Sequence, residues 1–472
     1  MAALLAGCAG PAAVPGSLAL HTPPQWFAPL PHQGSLASLS GWWRQQGDPA
    51  LVQLIEVAQD VSPSVSTARL NIEQARSVQG RATAALRPAL DATASLSRSR
   101  SAPAGPVSLG PSTQAQGGLQ ASWEIDVFGK NAATRNAASE RLAGAQALWH
   151  DARVSVAAEV ARQYYSFRAC EKLLAVSEAD ARSRSETARL SALATRAGFE
   201  SPANGALARA SAADSQARAT QQRSQCEVGI KALVALTALA EPAVRQQLAQ
   251  APPASALQAL PLLSSVPAQV LAQRPDLYNA ERELAASSFE VRSAQALRYP
   301  RLSLGGTITA GRTRSGGSTL GLDTWSIGPL ALTLPLLDGG ASQASLDAAR
   351  ARYENAAGQY RGVARQAVRE VEEALVNLQG TADRTGDAGV AAEGYRASFA
   401  GTEARYKAGL ASLVELEDAR RMLLAAQSGL INLELERRNA WVALYRALGG
   451  GWSVDTPPPA LATLPAQTLL AP

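Results

Sequence analysis

Few residues of this chain have the type and spacing that chemistry needs, and they do not form a catalytic set. The three histidines, His21, His32 and His150, are too far apart in sequence to build a metal site. No glycine-rich phosphate loop follows a strand-like segment. An enzyme therefore has little support, and no cofactor or metal is expected. Two constellations remain. Cys170 and Cys226 are equidistant in sequence from Gly198, one before it and one after. If two antiparallel helices meet at Gly198, the thiols face each other at one level. A disulfide then forms if the Cα atoms come within roughly 7 Å, and two separate buried thiols are the alternative. Glu415 and Asp418 are three apart and share one face of any helix that carries them. Taken alone, they are two solvated surface acids.

The elements that position these residues follow from a duplication. Gly129 to Leu236 lies on Gly340 to Ala447 without a gap: Glu159-Val160 falls on Glu370-Val371, Ala197-Gly198 on Ala408-Gly409, Ser201 on Ser412. Self-similarity on this scale marks a repeated structural unit. No proline occurs between Pro111 and Pro202 or between Pro335 and Pro457. These runs are rich in alanine, arginine, glutamate and glutamine, which favour helix. Each copy is read as a very long helix, a tight turn at the Ala-Gly pair and a returning helix. From Lys130 to Arg196 such a helix is roughly 100 Å long. The four glycines between Gly380 and Gly394 are expected to soften or kink the second long helix. Pro63 and Pro275 each open a shorter helix, which Pro88 and Pro300 close.

After each closing proline the period changes to two. Leu90, Ala92, Ala94 and Leu96 alternate with polar neighbours, as do Leu119, Ala121, Trp123, Ile125 and Val127, then Leu302, Leu304 and Ile308. A fourth segment, from Trp325 to Leu336, slips phase at Gly328-Pro329, which predicts a bulge. Segments of about ten alternating residues are the pattern of transmembrane barrel strands, though one face of a soluble sandwich also alternates. The aromatics Trp123 and Trp325, and the Gly/Ser/Pro-rich connections at 98–117 and 312–322, favour the membrane. Four strands cannot close a barrel and open edges are not tolerated in lipid, so copies must assemble.

The domain plan has five parts. Residues 1–8 are read as a truncated lipoprotein signal, and 9–62 as a linker and an amphipathic segment. The first repeat, 63–266, holds a short helix, a β-hairpin at 89–127, a helical hairpin at 130–240 and an irregular connector from Glu241. The second, 267–449, holds a short helix, a β-hairpin at 301–336 and a helical hairpin at 340–449. An extended tail occupies 450–472. Leu5-Ala6-Gly7-Cys8 looks like a lipobox, which makes Cys8 the expected lipidation site, although no basic region precedes it. Over its 472 residues the chain carries a net charge of +5, is 46% hydrophobic and only 5% aromatic. Basic and acidic residues are interspersed along the helices, the pattern of solvated faces, not of a nucleic-acid site.

The ordered motifs Trp42-Trp43, Asp48-Pro49-Ala50-Leu51, Trp123-Glu124-Ile125-Asp126-Val127-Phe128-Gly129, Arg274-Pro275-Asp276-Leu277, Tyr299-Pro300, Leu334-Pro335-Leu336-Leu337-Asp338-Gly339-Gly340 and Tyr406-Lys407-Ala408-Gly409 resemble the TolC family of outer-membrane factors, specifically the NodT-like efflux lipoproteins. The resemblance spans the chain from about Ser40 to Gly450. It implies a mainly α fold with a β-barrel part. Three protomers would complete a twelve-stranded outer-membrane barrel continued by a periplasmic helical tunnel. It also implies a periplasmic adaptor and an inner-membrane transporter as partners. Ala197, Gly198 and Ser201, with Ala408, Gly409 and Ser412, then become adaptor-contacting tips. Glu415 and Asp418 take positions where the family carries acids at a closed periplasmic mouth, with Leu413 and Val414 as an apolar constriction. The implied function is passive efflux of small molecules such as drugs or toxic compounds, in a pump of the RND type. A conduit for type I protein secretion and a non-membrane coiled-coil scaffold are the alternatives.

Overall fold

The computed structural model describes residues 42–45, 47–100, 111–250, 271, 273–315 and 317–452. Cys8, the linker to residue 41, the connector at 251–266 and the tail beyond Trp452 lie outside the described residues.

The helices begin and end where the sequence punctuates them. After α1 (Trp42–Gln45) and α2 (Pro49–Val61), α3 (Pro63–Ala84) leads into strands β1 (Ala89–Ser99) and β2 (Ser112–Ile125). Then come α4 (Lys130–Arg196), α5 (Pro202–Thr237) and α6 (Glu241–Gln250). The second copy runs α7 (Pro275–Ala296), β3 (Arg301–Ser315), β4 (Ser318–Thr333), α8 (Ala341–Lys407) and α9 (Leu413–Ala447). Proline opens α2, α3, α5 and α7, where its missing N–H costs nothing. The long helices α4 and α8 both have 67 residues. Two expectations are corrected. The connector does not start irregularly at Glu241: α6 is helical, with Val244 and Leu248, one turn apart, buried beneath it. Pro242 sits in its first turn and so starts a helix instead of breaking one. The helix α8 is also unbroken through Gly380–Gly394. Burial of Leu378, Thr381 and Ala392 on its packed face holds it there, since tertiary packing outweighs weak propensity.

The chain divides into two compact units. The first comprises residues 70–146 and 279–362 and contains the sheet. Its four strands are antiparallel in the order β1-β2-β3-β4, so β1 and β4 are free edges. The strands reach further than the alternation suggests. Ser99 pairs with Ser112, and Ser315 with Ser318, so most of the expected polar connections are paired backbone. A ladder needs only N–H and C=O groups, and the polar and glycine positions supply them as well as apolar ones. The phase slip is a bulge: Leu304 faces Leu330 but Gly306 faces Ile327. Trp325 and Ile327 above it, and Leu330 and Leu332 below it, thereby share the face of Ile308, Leu119 and Leu90. That face is apolar and open, with Trp325 74% and Leu332 68% exposed. Below the sheet, Phe128 stacks on Tyr299 at 5.0 Å. Arg141 of α4 bridges Glu283 and Glu290 of α7 at 2.8 and 2.7 Å.

The second unit comprises residues 147–278 and 363 onward, together with α1 and α2. Its core packs aromatic rings among aliphatic side chains. The Trp42 ring lies 4.7 Å from Trp441 and 5.6 Å from Tyr445. Leu51 and Leu54 of α2, Leu233 of α5 and Leu375 of α8 are fully buried around them. Asp48 caps α2 through the Leu51 amide at 3.3 Å and accepts the Tyr164 hydroxyl at 2.5 Å. The buried Arg274 guanidinium pairs with Asp276 at 2.6 Å and Glu370 at 2.8 Å, and donates to the Ala447 carbonyl at 2.9 Å. Gly449, at φ +75°, lets the chain pass there, since a Cβ would come within 2.3 Å of the Gln273 carbonyl oxygen.

Candidate functional site

The two hairpin ends, both in the second unit, are built alike. Gly198 and Gly409 take φ +80° and +74° as each long helix ends. The Phe199 amide then donates to the Ala194 carbonyl at 2.9 Å, and the Leu410 amide to Arg405 at 2.8 Å. This six-to-one bond with a left-handed glycine is the Schellman closure of a helix. Ala197 and Ala408 are the last residues before the glycines. Ser201 and Ser412 open the returning helices, their hydroxyls accepting from the Asn204 and Glu415 amides at 3.2 Å each. The result is that each end presents one large apolar side chain to solvent: Phe199 is 88% and Leu410 70% exposed. Neither stands out in the sequence, because exposure here follows from the turn geometry.

The expected acidic pair has two different local roles. Glu415 closes a capping box, its carboxylate accepting the Ser412 amide at 2.6 Å. That bond, followed by the Ser412 hydroxyl and the Arg405 charge, holds the Glu415 carboxyl below its ordinary pKa. Asp418 pairs with Arg421 one turn on, and both are exposed. Val414 is also exposed, but Leu413 is 2% exposed. The Leu413 side chain packs with Leu416 against Ala188 and Ala208 of the first hairpin. Leu413 therefore belongs to the joint between the hairpins and does not line an opening in this protomer.

A further acid, Glu417, carries no motif in the sequence and lies largely covered at the same joint. Its Oε1 accepts Arg420 at 2.8 Å, and its Oε2 accepts the Ser211 hydroxyl at 2.6 Å and also Arg184. Arg184 is further paired with Asp180 at 2.9 Å. Arg420 reaches the hydroxyls of Ser183 at 2.9 Å and Thr187 at 2.7 Å, with its guanidinium 5.7 Å from the Phe399 ring. The arginine side chains are 8% and 3% exposed, Asp180 10% and Glu417 16%. Two cations and two anions thus tie α4, α5 and α9 together in a largely dry place. Farther from the turn, Cys170 and Cys226 are joined by a disulfide between α4 and α5, with Cα atoms 5.6 Å apart. Among the described residues no group of His, Cys, Asp and Glu is arranged to hold a metal, and no helix is long and apolar enough to cross a membrane.

A family model described as outer membrane efflux protein matches residues 54–239 and 266–450. The chain is 30% identical over 418 residues to the solvent efflux pump outer membrane protein SrpC of Pseudomonas putida, covering 86% of this chain and 87% of that one. It is 30% identical over 432 residues to the outer membrane protein OprJ of Pseudomonas aeruginosa, covering 89% and 88%. Among solved structures, the outer-membrane channel OprN superposes with a TM-score of 0.82 and 26% identity over 94% of this chain and 99% of that chain. Both copies of the duplication fall within the matched segments, and the helical hairpins and four-stranded sheet are the fold of a channel protomer. The chain belongs to the outer membrane efflux protein family.

Proposed function

We propose that three copies of this chain form the outer-membrane channel of a tripartite efflux system of the RND type. Small molecules such as drugs or toxic compounds would pass through it passively, without chemistry at the protein. The observation that carries the reading is the sheet. Four amphipathic strands with an open apolar face and two free edges have no stable place in water or, unclosed, in lipid. Three such sheets give twelve strands, within the range of outer-membrane barrels. The hairpin ends are the natural meeting point for a periplasmic adaptor, which an inner-membrane transporter would feed. Phe199 and Leu410 there are exposed apolar side chains of the kind that interfaces cover. Cys8 is proposed to carry the lipid anchor.

Native mass spectrometry from detergent tests assembly and anchor together. The expected particle has three times the mass of the chain from Cys8 onward, with one diacylglycerol and one further acyl chain per protomer on Cys8. A folded, stable monomer would overturn the channel reading. A trimer of unlipidated chains would overturn only the anchor.

A further inference from the structure

The internal duplication also specifies how one copy meets the next. Within the chain, Pro88 and the β1 strand correspond to Pro300 and β3, and the end of β2 corresponds to the end of β4, with Gly129 on Gly340. The correspondence reproduces register as well as order. In the first hairpin Ala89 pairs with Ser122, Leu90 with Ala121, Asp91 with Gln120 and Ala92 with Leu119. Carried to the second copy, these become Arg301 with Thr333, Leu302 with Leu332, Ser303 with Ala331 and Leu304 with Leu330. All four are the pairs observed.

The junction between the two hairpins, β2 with β3, has no counterpart inside the chain. Its counterpart is β4 with the β1 of another copy, the two edges left free. In the observed junction Trp123 pairs with Leu304, Ser122 with Gly305, Ala121 with Gly306, Gln120 with Thr307 and Leu119 with Ile308. We propose that the edges of adjacent copies join in the register this junction dictates, with Thr333 opposite Thr93 of the next copy. Leu334, Leu332 and Leu330 then lie opposite its Ala92, Ala94 and Leu96, and Ala331 opposite its Ser95. Apolar side chains meet apolar ones on the lipid face, and small polar ones meet on the other. A slip of one residue would turn one strand's apolar set inward. A slip of two would keep the faces, so duplication, not amphipathicity, selects this register.

The inference rests on the reading that copies close a barrel, and disulfide trapping separates the two. Chains carrying Thr93→Cys with Thr333→Cys, and separately Ser95→Cys with Ala331→Cys, are oxidised with copper phenanthroline in outer-membrane vesicles. Thr333→Cys paired with Asp91→Cys or with Ser95→Cys serves as the slipped control, and each single cysteine as background. Within one protomer β1 and β4 are three strand spacings apart, about 14 Å, so no bond can form inside a chain. The expected result is a ladder of covalent dimer and trimer for the two in-register pairs, several-fold stronger than for either slipped pair. A slipped pair that traps best, or no trapping at all in a particle of trimer mass, overturns the register and leaves the channel standing. A monomeric mass removes the channel reading, and this register with it.

Discussion

At the scale of single residues, His150 carries the clearest consequence. It lies half-buried on α4 beside Trp149, at 4.7 Å, with Trp452 at 6.2 Å. Burial, and then the Arg153 charge, lower its pKa from 6.5 to about 4. The native state therefore binds this proton less readily than the unfolded chain does. Stability from this site is complete above pH 6.5 and declines as pH falls from there towards 4. The neighbouring Asp151 is pushed the other way, chiefly by burial, so the His150 contribution must be read by difference. Thermal unfolding in detergent should show His150→Gln losing less stability than the parent across that window. Parallel curves would mean that the imidazole titrates as it does in water. The sequence offers His150 no partner, because Trp452 reaches it only through the fold. Glu415 is the opposite case: Ser412-x-x-Glu415 is a capping-box pattern legible in the chain itself.

At the scale of elements, the Glu417 cluster ties the two hairpins together beside the apolar contact of Leu413 and Leu416 with Ala188 and Ala208. Replacing Glu417 by alanine leaves the buried Arg184 and Arg420 with one shared acid fewer. Removing one partner from a buried ionic group costs about 3–5 kcal/mol. Asp418→Asn, at an exposed i, i+3 pair, should stay within about 0.5 kcal/mol. Chemical unfolding, with trypsin sensitivity near the hairpin ends as a local readout, distinguishes them. Equal stability of the two variants would show that the cluster does not hold the hairpins together. The long helices, their Ala-Gly turns, the strand alternation and the bulge were all legible, because propensity, proline placement and periodicity are local signals. The burial of Leu413 and Glu417, the helix α6 and the continuity of α8 were not. Each depends on what a neighbouring element presses against that face, and one strand of sequence does not record its neighbours.

At the scale of the whole molecule, the proposed trimer repeats every exposed group at the hairpin ends three times around one axis. Glu415 and Asp418 then contribute a ring of carboxylates, with Val414 as the apolar group still free to narrow the opening once Leu413 is assigned to the hairpin joint. The ring is not bare. Arg421 pairs with Asp418, and Arg405 donates to the Leu410 carbonyl at 3.1 Å, close to the same turn. Carboxylate rings select cations, and in planar bilayers we expect low resting conductance, cation preference and block by multivalent cations. The informative variant is Glu415→Gln with Asp418→Asn. Glutamine preserves the capping box, so the helix start survives while both charges go. Arg421 would then lose its paired acid and Arg405 the nearby Glu415 charge, and the preference should weaken and move towards anions, with multivalent block relieved. If conductance, selectivity and block all match the parent channel, these acids are surface charges, and the constriction is set by other groups.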